Sequence, residues 1–202
     1  IFNFLFTTFL DYINDKNWKD EIPDSLKDFY DSDNYLKAKE YKIERGRMSL
    51  ISSLFSIIFT LLMLCFYGFG FISDYAISLS DSTIIQSSIF FMIFYIFNYI
   101  LGIPFSYYST FVIEEKFGFN KTNLKTFALD KIKSLIISSV LIIGLTSLAV
   151  LIIDQFDKGF WLWLWIGISL LMLFLNMFYA DLIVPVFNKL TPLKDGELRN
   201  KI

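Results

Sequence analysis

The imidazole and thiol side chains most used to bind transition metals are nearly absent from this sequence. There is no His and a single Cys among 202 residues. A catalytic zinc site takes about three protein ligands, mostly His, Cys and carboxylate, plus an open position for water. Cys65 stands alone between Leu64 and Phe66 and reads as a small buried apolar residue. The carboxylates cluster in polar segments beside Lys and Arg, and oxygen-only sites suit magnesium or calcium better than zinc. No catalytic residue and no metal ligand can be assigned from these residue types. The remaining candidates are polar groups inside long apolar runs: Gln86, Asn98, Asn176 and Asp181. Such groups face a bundle interior, because hydrocarbon does not solvate them. Gln86, Asn98, Asn176 and Asp181 either line a chamber or contact a following part of the protein, or else serve interhelical hydrogen bonding. Glu114 and Glu115 either pair with basic groups elsewhere in the protein or form a solvated loop end.

Those residues need elements to hold them, and the composition says which. The chain is 55% hydrophobic and 19% aromatic, with 24 Phe, as in a polytopic membrane protein whose partner is the lipid bilayer. A net charge of −2, with no recognition motif, excludes nucleic acid as a partner. Met48–Ser73, Ser82–Ile113, Ser134–Ile153 and Gly159–Ala180 are free of charge, each long enough for the roughly 20 residues a membrane helix needs. Ile1–Leu10 is apolar but stops at Asp11, as the cut-off end of a further membrane helix would. The expected fold is all-α: five transmembrane helices at about 1–12, 48–73, 83–105, 134–153 and 159–181, with amphipathic cytoplasmic helices between them. Gly102-Ile103-Pro104 should bend or end the third of these before Ser106.

In the first polar segment, 14–47, Pro23 and Asp24 suit a helix first turn that places Leu26, Phe29 and Tyr30 on one face. A second helix should be capped near Asp33-Asn34 and can run on into the membrane past Gly46. Its mixed charge reads as a solvated face. In 114–133, Gly118 and Asn120 make a turn, and Thr122 or Asn123 caps a helix with an apolar stripe at Leu124, Phe127, Ala128, Ile132 and Leu135. Of the 18 Lys and Arg, only Lys158 lies outside 14–47, 114–133 and 186–202. These three segments are therefore expected on the cytoplasmic side, with the C-terminal end. Usage rich in Ile, Lys and Asn points to an AT-rich bacterial genome and hence a bacterial inner membrane.

Two stretches carry a family resemblance. Pro185-Val186-Phe187-Asn188-Lys189-Leu190-Thr191-Pro192-Leu193, followed by Gly196-Glu197-Leu198-Arg199, resembles the exit of the N-terminal membrane domain of CaaX prenyl protease type 1. Phe111-Val112-Ile113-Glu114-Glu115-Lys116-Phe117-Gly118-Phe119-Asn120-Lys121-Thr122 resembles the loop between that domain's third and fourth membrane helices. The resemblance implies a five-helix membrane domain. It also implies an intact protein that is a zinc metalloendopeptidase, removing the C-terminal tripeptide after a prenylated cysteine in a membrane chamber. That chemistry uses a His-Glu-x-x-His helix, which this chain lacks. Zinc and catalysis are therefore expected in a downstream domain of the same chain, and the sequence is taken as truncated at both ends. The resemblance marks Glu114, Glu115, Gly118, Asn120, Pro185, Phe187, Asn188, Pro192, Leu193, Gly196, Leu198 and Arg199 as motif residues. The two prolines should end the last membrane helix. The competing class is a non-catalytic membrane scaffold or transporter fragment, against which stands the absence of paired broken helices and internal repeats.

Overall fold

The computed structural model describes residues 2–18, 21–22, 31–156, 158–191, 196 and 199. Its elements are α1 (Phe2–Asn17), α2 (Ser32–Cys65), α3 (Gly68–Leu79), α4 (Thr83–Tyr108), a π-helical turn (Ser109–Glu114), α5 (Glu115–Phe117), α6 (Leu124–Gln155), α7 (Phe160–Phe178), a second π-helical turn (Tyr179–Ile183) and α8 (Val184–Phe187). There is no strand among the described residues. Among the described residues, four helical stretches are long and apolar enough to cross a membrane: Ser32–Cys65, Thr83–Phe117, Leu124–Gln155 and Phe160–Phe187. The helix expected at 1–12 runs on to Asn17, because polar residues beyond Asp11 continue a helix freely once outside hydrocarbon. The helix expected around Pro23–Tyr30 falls outside the described residues.

The chain divides into two compact units, Ile1–Leu79 with Ile93–Asn123, and Ser80–Met92 with Leu124–Ile202. In the first, α2 is one helix of 34 residues, about 51 Å at 1.5 Å per residue, joining the charged segment to the membrane run without a break at Gly46. Its cap is Asp31, two residues before the expected pair. One Asp31 oxygen accepts from Asn34 N and the other from Asn34 Nδ2, both at 2.7 Å.

The span expected at 48–73 is a helical pair instead. α2 ends at Cys65, which is exposed rather than buried, and Tyr67 turns left-handed with φ 58°. A Cβ on Gly70 would lie 2.2 Å from the Tyr67 ring. The ring therefore folds over a glycine, and its hydroxyl donates to Asp74 Oδ2 at 3.3 Å. α3 then packs Phe69 against Phe94, centroids 5.3 Å apart, and buries Ala76.

α4 does not end at Gly102–Pro104; it carries Pro104 inside and continues to Tyr108. In hydrocarbon every abandoned backbone hydrogen bond costs several kcal/mol, so a helix tolerates the one missing N–H of a proline rather than unwinding. Phe55–Phe105 and Phe59–Phe97 pairs, at 5.2 and 5.3 Å, hold α4 to α2. α1 is tied to the charged half of α2 by Asp15–Lys42 at 2.9 Å and by Lys39 Nζ donating to Trp18 O at 2.8 Å.

In the second unit the expected amphipathic segment and membrane span are one helix, α6, 32 residues long. It packs on α7 at Gly167. A Cβ there would meet Ile152 at 3.5 Å and Leu148 at 3.8 Å, ordinary van der Waals distances, which marks this glycine as a point of contact between the two helices. Phe156 stacks on Trp163 at 5.0 Å across the turn closed by Gly159, whose φ is 88°.

Candidate functional site

The loop motif in the first unit is a hydrogen-bonded knot. Gly118, at φ 76°, ends α5 in the left-handed region that glycine occupies without strain. Its N–H bonds Glu115 O at 3.0 Å, and Phe119 N and Asn120 N both bond Glu114 O, at 2.8 and 3.2 Å. Asn120 then works in two directions: its Nδ2 donates to Glu115 Oε2 at 2.8 Å and its Oδ1 accepts from Thr122 N at 2.7 Å. Thus Glu114, Glu115, Gly118 and Asn120, marked by the resemblance, form one unit. α6 begins directly after Asn123.

This knot docks on α2. Arg45 pairs with Glu114 at 3.6 Å, and Lys116 donates to Glu44. The Tyr41 ring meets Phe117 edge-on at 5.3 Å and Phe119 at 4.9 Å, and Arg45 Nη1 donates to Tyr41 Oη at 3.0 Å. Ile113 and Phe117 are 2% and 4% exposed. Outside the charge-free runs, the hydrogen bond to Tyr41 raises the Arg45 pKa and that to Glu44 raises the Lys116 pKa. Sequence reasoning took this part of α2 for a solvated face. The signal it missed is Tyr41, Glu44 and Arg45 at i, i+3 and i+4, one helix face matching Phe117, Lys116 and Glu114 in kind.

A cavity of about 270 Å³ opens between α2 and α4, lined by Ser52, Ser56, Asn98, Gly102 and four apolar side chains. Asn98 does not bridge helices; its Nδ2 donates to Phe94 O at 2.8 Å on its own helix. In the second unit Asn176 Nδ2 likewise donates to Met172 O at 2.8 Å and is exposed. Gln86 Nε2 returns to Ser80 O at 2.7 Å, helping to start α4, where Ser82 O accepts from Gln86 N at 2.9 Å.

The exit of the last span differs from expectation. Pro185 does not end the helix; it sits in the first turn of α8, which runs to Phe187, and Asn188 is the extended cap. A proline ring collides with the carbonyl four residues back and offers no N–H. For Pro185 that carbonyl belongs to Asp181, and the chain answers with a wide turn, Val184 N–H bonding Tyr179 O. Asp181 is exposed in that turn. Lys133 lies 5.8 Å over the Phe187 ring. Pro192, Leu193 and Leu198 fall outside the described residues; Gly196 and Arg199 are exposed.

None of this fits a zinc centre. The sequence has no His, and among the described residues no group of three or more His, Cys, Asp or Glu is placed to hold a metal, so the described residues do not make the donor set zinc requires.

Comparison with known proteins gives concordant results. A family model described as the CAAX prenyl protease N-terminal region, with five membrane helices, matches residues 12–189. "CAAX prenyl protease 1 homolog" of Mus musculus is 32% identical over 188 residues, covering 90% of this chain and 40% of its own length. "Probable CAAX prenyl protease 1" of Schizosaccharomyces pombe is 33% identical over 198 residues, covering 91% and 42% respectively. Among solved structures, that of S. mikatae Ste24p superposes with a TM-score of 0.86 at 30% identity, over 98% of this chain and 48% of that one. The chain therefore spans less than half the length of the relatives it matches.

Proposed function

The chain belongs to the CAAX prenyl protease N-terminal family, and on that footing we propose that it is the membrane-embedded N-terminal part of a zinc metalloendopeptidase acting on prenylated or membrane peptides. It contributes membrane anchoring and part of a substrate-chamber wall. What carries the reading is likeness of sequence and fold together over nearly the whole chain. The cavity at Asn98, with Ser52 and Ser56 beside it, supports a chamber-wall role for the first unit; Asn176 and Asp181, in the second unit, are proposed as chamber-lining residues of the intact protein on their polar character alone. On this reading the chemistry belongs to residues outside these 202, in keeping with a sequence that has no His and with relatives more than twice its length. The downstream domain of the same chain is then the natural partner of the exit motif from Pro185 to Arg199. Cleavage of a prenylated peptide by the full-length protein tests the activity.

Orientation rests on charge: 17 of the 18 basic residues lie in three segments read as facing the cytoplasm. The relatives reported above are eukaryotic, which speaks against the bacterial inner membrane suggested by composition and leaves the orientation untouched. In a Cys65→Ser background, single cysteines at Lys37, Lys125 and Lys194 should react with an impermeant maleimide from the cytoplasmic side, and those at Asp81 and Asp157 from the other. The sequon Asn120-Lys121-Thr122 should carry no glycan in a eukaryotic host. Labelling of Lys37 and Asp81 positions from one side, or a glycan on Asn120, would overturn the five-helix orientation.

A further inference from the structure

We propose that Ser109–Glu114 is a two-register element, held in its wide π-helical register by the joint between α2 and the Glu114–Phe117 turn. The burial pattern carries this. Phe105 of α4 faces α2, its ring tilted against Phe55 with centroids 5.2 Å apart. In an α-helix the residue seven further on, Val112, returns to that face. Yet Val112 is 42% exposed and Ile113 is 2% exposed. The buried face has slipped by one residue, and it stays slipped: Phe117, not Lys116, is buried twelve residues after Phe105. A π turn holds one residue more than an α turn, so it accounts for the slip.

Three contacts fix the slipped face: Arg45 with Glu114, Glu44 with Lys116, and Tyr41 with Phe117. If Ser109–Glu114 closed to the α register, everything after it would turn by about 100°, the angle per residue of an α-helix. All three contacts would part together. The cap at Gly118 and the Asn120 side chain belong to the same knot, so the whole motif would turn as one body. Packed elements with two discrete arrangements are the form such devices take. Both ion pairs are partly exposed, with side-chain exposures of 52% and 29% for Arg45 and Glu114, and 55% and 32% for Lys116 and Glu44. Salt screens exposed pairs, so the balance between registers is sensitive to ionic strength.

The test reads alkylation of single cysteines at 112 and 113 by N-ethylmaleimide in the full-length protein, in a Cys65→Ser background. In the parent, Val112→Cys should react at least about tenfold faster than Ile113→Cys, given the burial difference. Adding Glu44→Lys or Tyr41→Ala should reverse the order, and high salt should narrow it. The double charge exchange Glu44→Lys with Lys116→Glu should restore the parent order. Deleting Thr110 removes the extra residue, so Ile113→Cys should stay protected even with Glu44→Lys present. Local unfolding would instead expose both positions in every joint variant, and the deletion would not rescue it. That pattern, or an unchanged order when the joint is broken, would overturn the proposal.

Discussion

Replacing Phe117 by alanine is expected to destabilise the full-length protein by about 3 kcal/mol, the low end for emptying a buried phenylalanine site. The ring is 4% exposed, meets Tyr41 edge-on at 5.3 Å, and has the Lys116 ammonium 5.2 Å from its centre. It lies at the charged end of its helix, where unfolding exposes it to water rather than to lipid, so the hydrophobic term applies in full. Phe119 provides the control. It touches the same Tyr41 at 4.9 Å but is 55% exposed, and its removal should cost about 1 kcal/mol, the scale of an aromatic pair. Thermal unfolding in detergent, read against the parent protein, measures both. Equal shifts for the two variants would mean that Tyr41, not the buried pocket, carries the joint.

Replacing Pro185 by alanine should do the opposite: leave stability nearly unchanged and cut activity. Alanine relieves the collision with the Asp181 carbonyl and supplies the missing N–H. The turn Tyr179–Ile183, now bonded from Val184 N to Tyr179 O, can then close to the α register. Phe187 and Asn188 would turn by about 100°, taking Phe187 from beneath Lys133. Stability and insertion should shift by less than about 1 kcal/mol, since a hydrogen bond is gained as a contact is lost. If the exit motif aims the remainder of the protein at its substrate, activity should fall on the order of 100-fold, the scale of a misplacement of about 1 Å at a reacting centre. Peptide cleavage and thermal unfolding, measured side by side, decide it. Full activity in the variant would reduce the proline to a local feature of the helix.

Much of the fold was legible because hydrocarbon imposes simple rules. The charge-free runs mark the spans, and the loop and exit motifs mark the family. What escaped were departures from helix regularity. The break at Tyr67 lies inside a charge-free run, so hydropathy passes over it; Gly68 and Gly70 flanking an aromatic were the available cue. Pro104 suggests a bend or an end and Pro185 an end, yet both helices continue, because a membrane environment penalises unpaired backbone more than a bent or widened turn. The π turn at Tyr179–Ile183 could have been inferred from Pro185 acting four residues back. That at Ser109–Glu114 has no such cue, since its cause lies across the joint in α2. Asn98 and Asn176 were expected to bridge helices or line a chamber. Each amide donates to its own helix rather than to a neighbouring one, the local solution open to a short amide one turn from a carbonyl, and Asn98 also lines the cavity between α2 and α4.

The chain belongs to the CAAX prenyl protease N-terminal family, and the role proposed for it is that of the membrane part of a peptide-cleaving metalloenzyme. Incubating the reconstituted full-length protein with a farnesylated peptide ending in a CaaX sequence, and following release of the C-terminal tripeptide, tests it most directly. The expected result is release that a chelator abolishes and added zinc restores. An intact peptide in the presence of folded, zinc-loaded protein, or cleavage indifferent to the chelator, would contradict it.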